Sequence, residues 1–227
     1  KIMKFKKLFL LILPINYLLA EIPPYSAKYN FESDEISITG IRQFKKDDMD
    51  EIRFEASNLF ASLFFSSKFK TNKNNLIPNT YDIKIRPKFL NRDQSIAFNY
   101  QNNEINSKGV NEWSSSIDEK NTLYDPLNVQ IMIRTSVKQG LTNFDLKIID
   151  MQKGGYKTYT YNFLNNEECY FDSLKYNCYV YERTQENSKR KVTYYMVKEL
   201  EFMFLRIIDV SPERVNKLEL KEILSLG

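Results

Sequence analysis

The chain contains no histidine. Ser-His-Asp and Cys-His catalysis are therefore impossible within it, and so is any site that needs an imidazole ligand. Two cysteines, Cys169 and Cys178, cannot build a structural zinc site alone. Six glycines are scattered at 40, 109, 140, 154, 155 and 227, so no glycine-rich loop exists to cradle a phosphate. Charge of one sign is also missing over most of the chain. The 33 basic residues exceed the 29 acidic ones by four, and Lys1, Lys4, Lys6 and Lys7 account for the whole excess. Residues 21–227 are formally neutral, which removes the compositional argument for nucleic-acid binding.

Those four lysines belong to a recognisable pattern. They precede an apolar run from Leu8 to Ala20, and Glu21, Pro23 and Pro24 follow it. A basic start, a short apolar stretch and a small residue at the cut make a secretory signal peptide. The run is 13 residues long and holds Pro14 and Asn16, whereas a spanning helix needs about 20 apolar residues. The expectation is a signal peptide over 1–20, one domain over 21–227, and a periplasmic address.

What is abundant is aromatic: 15 Tyr and 16 Phe, the mark of a strand-rich chain. Alternation of apolar and polar residues runs through it. Ile52, Phe54 and Ala56 alternate with Arg53, Glu55 and Ser57, and Tyr159, Tyr161 and Phe163 alternate with Thr158, Thr160 and Asn162. Period two places one apolar row on one side of each strand and wets the other, as in antiparallel sheets. The reading is a mainly β fold: one antiparallel curled sheet of about ten to twelve strands, an open or half β-barrel. Asp125-Pro126 and Gly140 bracket one helix near 126–139 by capping chemistry, although Val129, Ile131 and Ile133 also alternate. The 101–123 segment, with Trp113, reads either as a packed surface connection or as a lid.

The stretch Arg53-Phe-Glu-Ala-Ser-Asn-Leu-Phe-Ala-Ser-Leu63, with Ser66-Ser-Lys-Phe-Lys70 after it, resembles the early strands of the domain of unknown function 3108 family. So does Ser188-Lys-Arg-Lys-Val-Thr-Tyr-Tyr-Met-Val-Lys198 running into Phe204-Leu-Arg-Ile-Ile208. The Asp125-Pro126-Leu127 start and the Lys157-Thr-Tyr-Thr-Tyr161 strand fit the same order. The resemblance covers nearly the whole chain after residue 20. It implies an exported, β-rich bacterial protein and supplies no catalytic residues.

Candidate sites follow from the alternating rows. Phe54, Phe65, Phe98, Tyr159, Tyr161 and Phe163 either fill a core or line an apolar cavity. Arg206 falls on the face of Phe202, Phe204 and Ile208, where an arginine needs a partner. It holds an anionic head group or is salt-bridged. Cys169 and Cys178 are equidistant from a turn centred between Ser173 and Leu174, so a symmetric hairpin places them opposite each other as a disulfide. No catalytic motif, metal site or cofactor is expected. The functional expectation is an envelope protein that binds an apolar or amphipathic ligand, such as a lipid, on the concave face of the sheet. A structural or protein-interaction module is the alternative. Contact with a membrane surface stays open, and nucleic acid is not an expected partner.

Overall fold

The computed structural model describes residues 21–34, 36–59, 61–72, 75–86, 92–117 and 122–227. The leader expected over 1–20 lies outside them. The first eight strands are β1 (Tyr25–Glu32), β2 (Ser37–Lys45), β3 (Asp50–Ser57), β4 (Ser62–Asn72), β5 (Asn75–Arg86), β6 (Gln94–Asn99), β7 (Glu104–Gly109) and β8 (Trp113–Ser116). After them come β9 (Leu123–Tyr124) and the helix α1 (Val129–Lys138). The remaining strands are β10 (Asn143–Ile149), β11 (Tyr156–Phe171), β12 (Leu174–Thr184), β13 (Lys191–Val197), β14 (Met203–Val210) and β15 (Val215–Leu226).

All fifteen strands join one sheet in the order β8-β7-β6-β5-β4-β3-β2-β1-β15-β14-β13-β12-β11-β10-β9. Two meanders thus meet where β1 pairs with β15, for example at Tyr29 and Leu220. The edges are β8 and β9. The sheet is open and mixed, because β9 runs parallel to β10 through the pairs Lys147–Leu123 and Ile148–Tyr124. This corrects the expectation of a purely antiparallel sheet of ten to twelve strands. The added strands have a physical signature that alternation cannot reveal. β7 and β8 are built largely of Asn, Ser, Lys and Glu, and β9 is only two residues long. Residues 104–109 and 113–116, expected in a connection or lid, are therefore sheet.

Elsewhere the alternation sets the pleat. Tyr25, Ala27 and Tyr29 of β1, and Ile38, Gly40, Arg42 and Phe44 of β2, form buried rows. Gly40 permits this packing, since a Cβ there would lie 2.7 Å from the Phe54 ring and 2.5 Å from the Glu55 carbonyl. The curled sheet wraps α1. Val129, Ile131, Met132, Ile133, Arg134, Thr135, Ser136 and Val137 are all buried, so the helix is a plug rather than a surface element. It starts three residues later than Asp125 predicts. The Asp125 carboxylate instead accepts the N–H groups of Leu127 and Asn128, both at 2.8 Å, ordering the turn before the helix. Gly140 ends it with a φ of +80°.

The edges are tied by side chains. Trp113 of β8 donates its indole N–H to the Met151 carbonyl at 3.1 Å, and Gln94 donates to the same carbonyl at 2.7 Å. At β9, the Tyr124 hydroxyl donates to Asn75 Oδ1 at 2.9 Å.

Candidate functional site

Strand directions put the β1–β2, β3–β4, β5–β6 and β14–β15 turns at one end of the curled sheet. Between them opens a cavity of about 570 Å³. Its walls carry Phe54, Leu63, Phe65, Tyr81, Ile85 and Leu218, and the first turn around α1 contributes Pro126, Leu127 and Gln130. At the opposite end Ile131, Met132 and Thr135 of the helix pack against Ile22, Phe44 and Leu76 around about 30 Å³, and a polar concavity of about 410 Å³ lined by Lys46, Asp47, Asp48, Asp50 and Lys70 lies beside them. The large apolar-walled cavity is at the other end. The volume at the open end falls in the range of about 300–1,000 Å³ typical of small-molecule sites.

The charges in this cavity are unequal. Among the described lining residues are Arg42, Arg86, Arg92, Arg214 and Lys217, and Asp209 is the only carboxylate. Asp209 is already held by Arg190, whose Nε donates to Oδ1 at 2.7 Å. Arg86 is paired with Asp93 at 2.7 Å. Arg42 differs from the others in depth. It is only 4% exposed, and its guanidinium stacks on the Tyr29 ring at 4.9 Å from the centroid. Its Nε and Nη1 have no hydrogen-bond partner among the described residues.

A second concavity of about 410 Å³ lies beside the first and shares Pro126, Gln130, Ile207 and Asp209 with it. It is more polar. Lys157 pairs there with Asp150 at 2.8 Å, and Arg183 covers the Tyr159 ring at 4.6 Å.

The residues singled out from sequence are dispersed. Phe54 and Phe65 line the large cavity, and their rings lie 6.4 Å apart. Tyr159 lines the smaller one. Tyr161 is fully buried and stacks on Phe144 at 5.1 Å. Phe163 meets Tyr181 edge-on at 5.4 Å, and Phe98 is a buried core residue opposite Ile105.

Arg206 is not on the concave face. The pairing of β13 with β14 shifts between Tyr195–Arg206 and Met196–Phe204, which leaves Leu205 as an extra residue. This bulge reverses the pleat, so Phe204 and Arg206 point to opposite faces. Arg206 lies 3.7 Å from Glu167 and stacks on Tyr195 at 4.1 Å. The buried arginine in an apolar row is instead Arg42, which the sequence reading did not single out although it shares a period-two row with Ile38, Gly40 and Phe44.

Cys169 and Cys178 are disulfide-bonded, with Cα atoms 5.9 Å apart. They are diagonal rather than directly opposed. The turn is the two residues Asp172 and Ser173, both with positive φ of +48° and +62°, which is the type I′ geometry. The ladder therefore pairs Cys169 with Tyr176, and Cys178 with Glu167.

The model of the family described as "Protein of unknown function (DUF3108)" matches residues 25–216. The chain belongs to this family. Among solved structures it is similar to a β-barrel-like protein of the domain of unknown function DUF1849 from Brucella abortus. The two share 8% identity with a TM-score of 0.54, over 90% of this chain and 99% of that one. That likeness concerns the fold alone. No curated protein matches the sequence.

Proposed function

We propose that this DUF3108 protein is an exported envelope protein that binds an apolar or amphipathic ligand in the cavity at the open end of its sheet. The observation that carries the reading is that cavity: about 570 Å³, walled by aromatic and aliphatic side chains. Small barrels usually fill their interiors with side chains. Here the helix packs against Ile22, Phe44 and Leu76 at one end, and Phe54, Leu63, Phe65 and Ile85 surround open space at the other. Burial of a ligand against them supplies about 25 cal/mol per Å² of apolar surface removed from water. Export is supported by the basic and apolar pattern of residues 1–20. A disulfide is also compatible with an oxidising compartment.

Delipidated protein should take up a fluorescent fatty acid saturably, and Ala61→Trp, which adds bulk at the cavity wall, should reduce that uptake. Native mass spectrometry of protein purified without detergent should show a retained lipid-sized mass. Absence of both uptake and retained mass overturns the reading in favour of a protein-interaction module.

A further inference from the structure

We infer that the ligand of this cavity is a single-chain anionic amphiphile, seated with its acidic end on Arg42 and its chain along Phe54, Leu63, Phe65 and Ile85. The inference rests on the reading that the cavity binds a ligand, and it adds the chemical class and the orientation.

Four charged side chains are buried among the described residues: Arg42, Asp50, Asp125 and Arg134. Asp50 and Asp125 are satisfied by the protein, and Arg134 is partly so, its Nε having no partner among the described residues. Asp50 accepts the Thr71 hydroxyl. Asp125 accepts four hydrogen bonds, from the Ser67 hydroxyl, the Asn128 amide side chain and the N–H groups of Leu127 and Asn128. Arg134 donates to the Glu201 carbonyl at 2.8 Å and stacks on Tyr25 at 4.7 Å from its centroid.

Arg42 has the Tyr29 ring but no acceptor for Nε or Nη1 among the described residues. A buried guanidinium without an anion is costly, and its rigid fork matches a carboxylate or phosphate edge. Among the described residues nothing supplies that edge. Its cross-strand neighbours are Ala27 and Phe54, and the one carboxylate among the described lining residues is held by Arg190. The charged side chains of the helix, Arg134 and Lys138, are both cations, and Arg134 and Arg42 repel each other electrostatically.

Two further features agree with an anion entering from the open end. Arg92, Arg214 and Lys217 line the same cavity, so the field draws anions inward. The Gln130 Oε1 atom is buried without a partner in the same cavity, offering an acceptor to a hydroxyl near the head. The volume suits one acyl chain rather than a two-chain phospholipid.

The test is a calorimetric titration of the delipidated chain with decanoate, decyl phosphate and decanol, each below its aggregation concentration. The acids should bind roughly ten- to a hundred-fold tighter than the alcohol, the scale of a charge-assisted hydrogen bond. Preference between decanoate and decyl phosphate names the head group. In Arg42→Met, which keeps bulk and loses charge, the acids should fall to the affinity of the alcohol while alcohol binding stays. In Arg214→Met the preference should persist. Equal binding of acid and alcohol by the unsubstituted protein overturns the inference and needs no variant. A preference that survives in folded Arg42→Met overturns it too. If none of the three probes binds, the cavity reading itself falls, and this inference with it.

Discussion

The Ser67 hydroxyl donates to the Asp125 carboxylate at 2.6 Å, with both residues buried. This bond joins the middle of β4 to the turn that starts α1, 58 residues later in the chain. With the bond from Arg134 to the Glu201 carbonyl at the other end of the helix, it helps place the helix inside the sheet, and the open cavity depends on where that helix begins.

Breaking this contact should loosen the plug. Asp125→Ala removes an acceptor of four hydrogen bonds and leaves buried donors unpaired. A destabilisation of about 3–5 kcal/mol is expected from urea unfolding, the scale of losing a buried charged partner. Ser67→Ala removes one of the four and should cost about 1–2 kcal/mol. Equal small losses for both would show that Asp125 does not organise the turn.

The same carboxyl group gives stability an unusual pH dependence. Burial pushes Asp125 up to about 7, although the Ser67 hydroxyl and the N–H groups of Asn128 and Leu127 oppose the shift. Its unfolded value is 3.8, so between these two values the folded state binds more protons than the unfolded state. Stability from this group therefore falls as pH rises from about 4 to about 7. The shift corresponds to a few kcal/mol across that window. Paired carboxylates such as Asp150 are shifted the other way, against their own burial, by Lys157 and the N–H groups of Gln152 and Lys153. Their contribution is lost only at lower pH. Urea midpoints measured from pH 4 to 8 should fall with rising pH, and Asp125→Asn should flatten that slope whatever its effect on overall stability.

Much of this fold is legible in the sequence, and the illegible parts share a cause. Strands with a strong apolar row, such as Ile52, Phe54 and Ala56, announce themselves because burial on one face dictates period two. β7 and β8 are edge-side strands whose side chains are mostly polar, so no apolar row marks them in the sequence even though their burial alternates. The helix is readable from Asp125, Pro126 and Gly140, but its depth is not. Its all-round burial depends on how far the sheet curls, which no local pattern encodes. The candidate arginine was misplaced by a single bulge at Leu205. One unpaired residue exchanges the faces of β14, and Phe-Leu-Arg carries no sign of it. Arg42, on an unbroken strand between Gly40 and Phe44, was not singled out, although its period-two row carries no such interruption.

Gly40 is expected to resist substitution. Any Cβ there meets the Glu55 carbonyl oxygen at 2.5 Å and the Ala56 Cβ at 2.6 Å, and backbone cannot rotate away as a side chain can. Gly40→Ala should destabilise by about 1–3 kcal/mol, the usual range for overpacking. Gly40→Val should be worse. A thermal melt identical to that of the unsubstituted protein would show that β2 and β3 are less tightly apposed.

The disulfide should act locally. It links β11 and β12 across a short loop, for which chain entropy gives a stabilisation of about 2–3 kcal/mol. The hairpin tip beyond it exposes Tyr170 and Leu174 to solvent. Cys169→Ser with Cys178→Ser should raise amide exchange at that tip and lower the melting temperature. Neither cysteine lines the large cavity, so fatty-acid uptake should be unchanged in the folded double variant.

The aromatic residues provide the sharpest separation of binding from folding. Phe54 lines the cavity and packs over Gly40, whereas Phe98 is buried away from the cavity lining. Phe98→Ala should cost about 3–5 kcal/mol of stability as a cavity-forming change, and the surviving folded fraction should bind a fluorescent fatty acid normally. Phe54→Ala should cost less, because its ring already borders open space, and should weaken binding several-fold by removing contact area. Tyr161, stacked between Phe144 and Tyr194, should behave like Phe98. Affinity corrected for folded fraction is the measurement that decides. If Phe54→Ala and Phe98→Ala reduce it equally, uptake reflects general loosening of the core rather than a site at the open end.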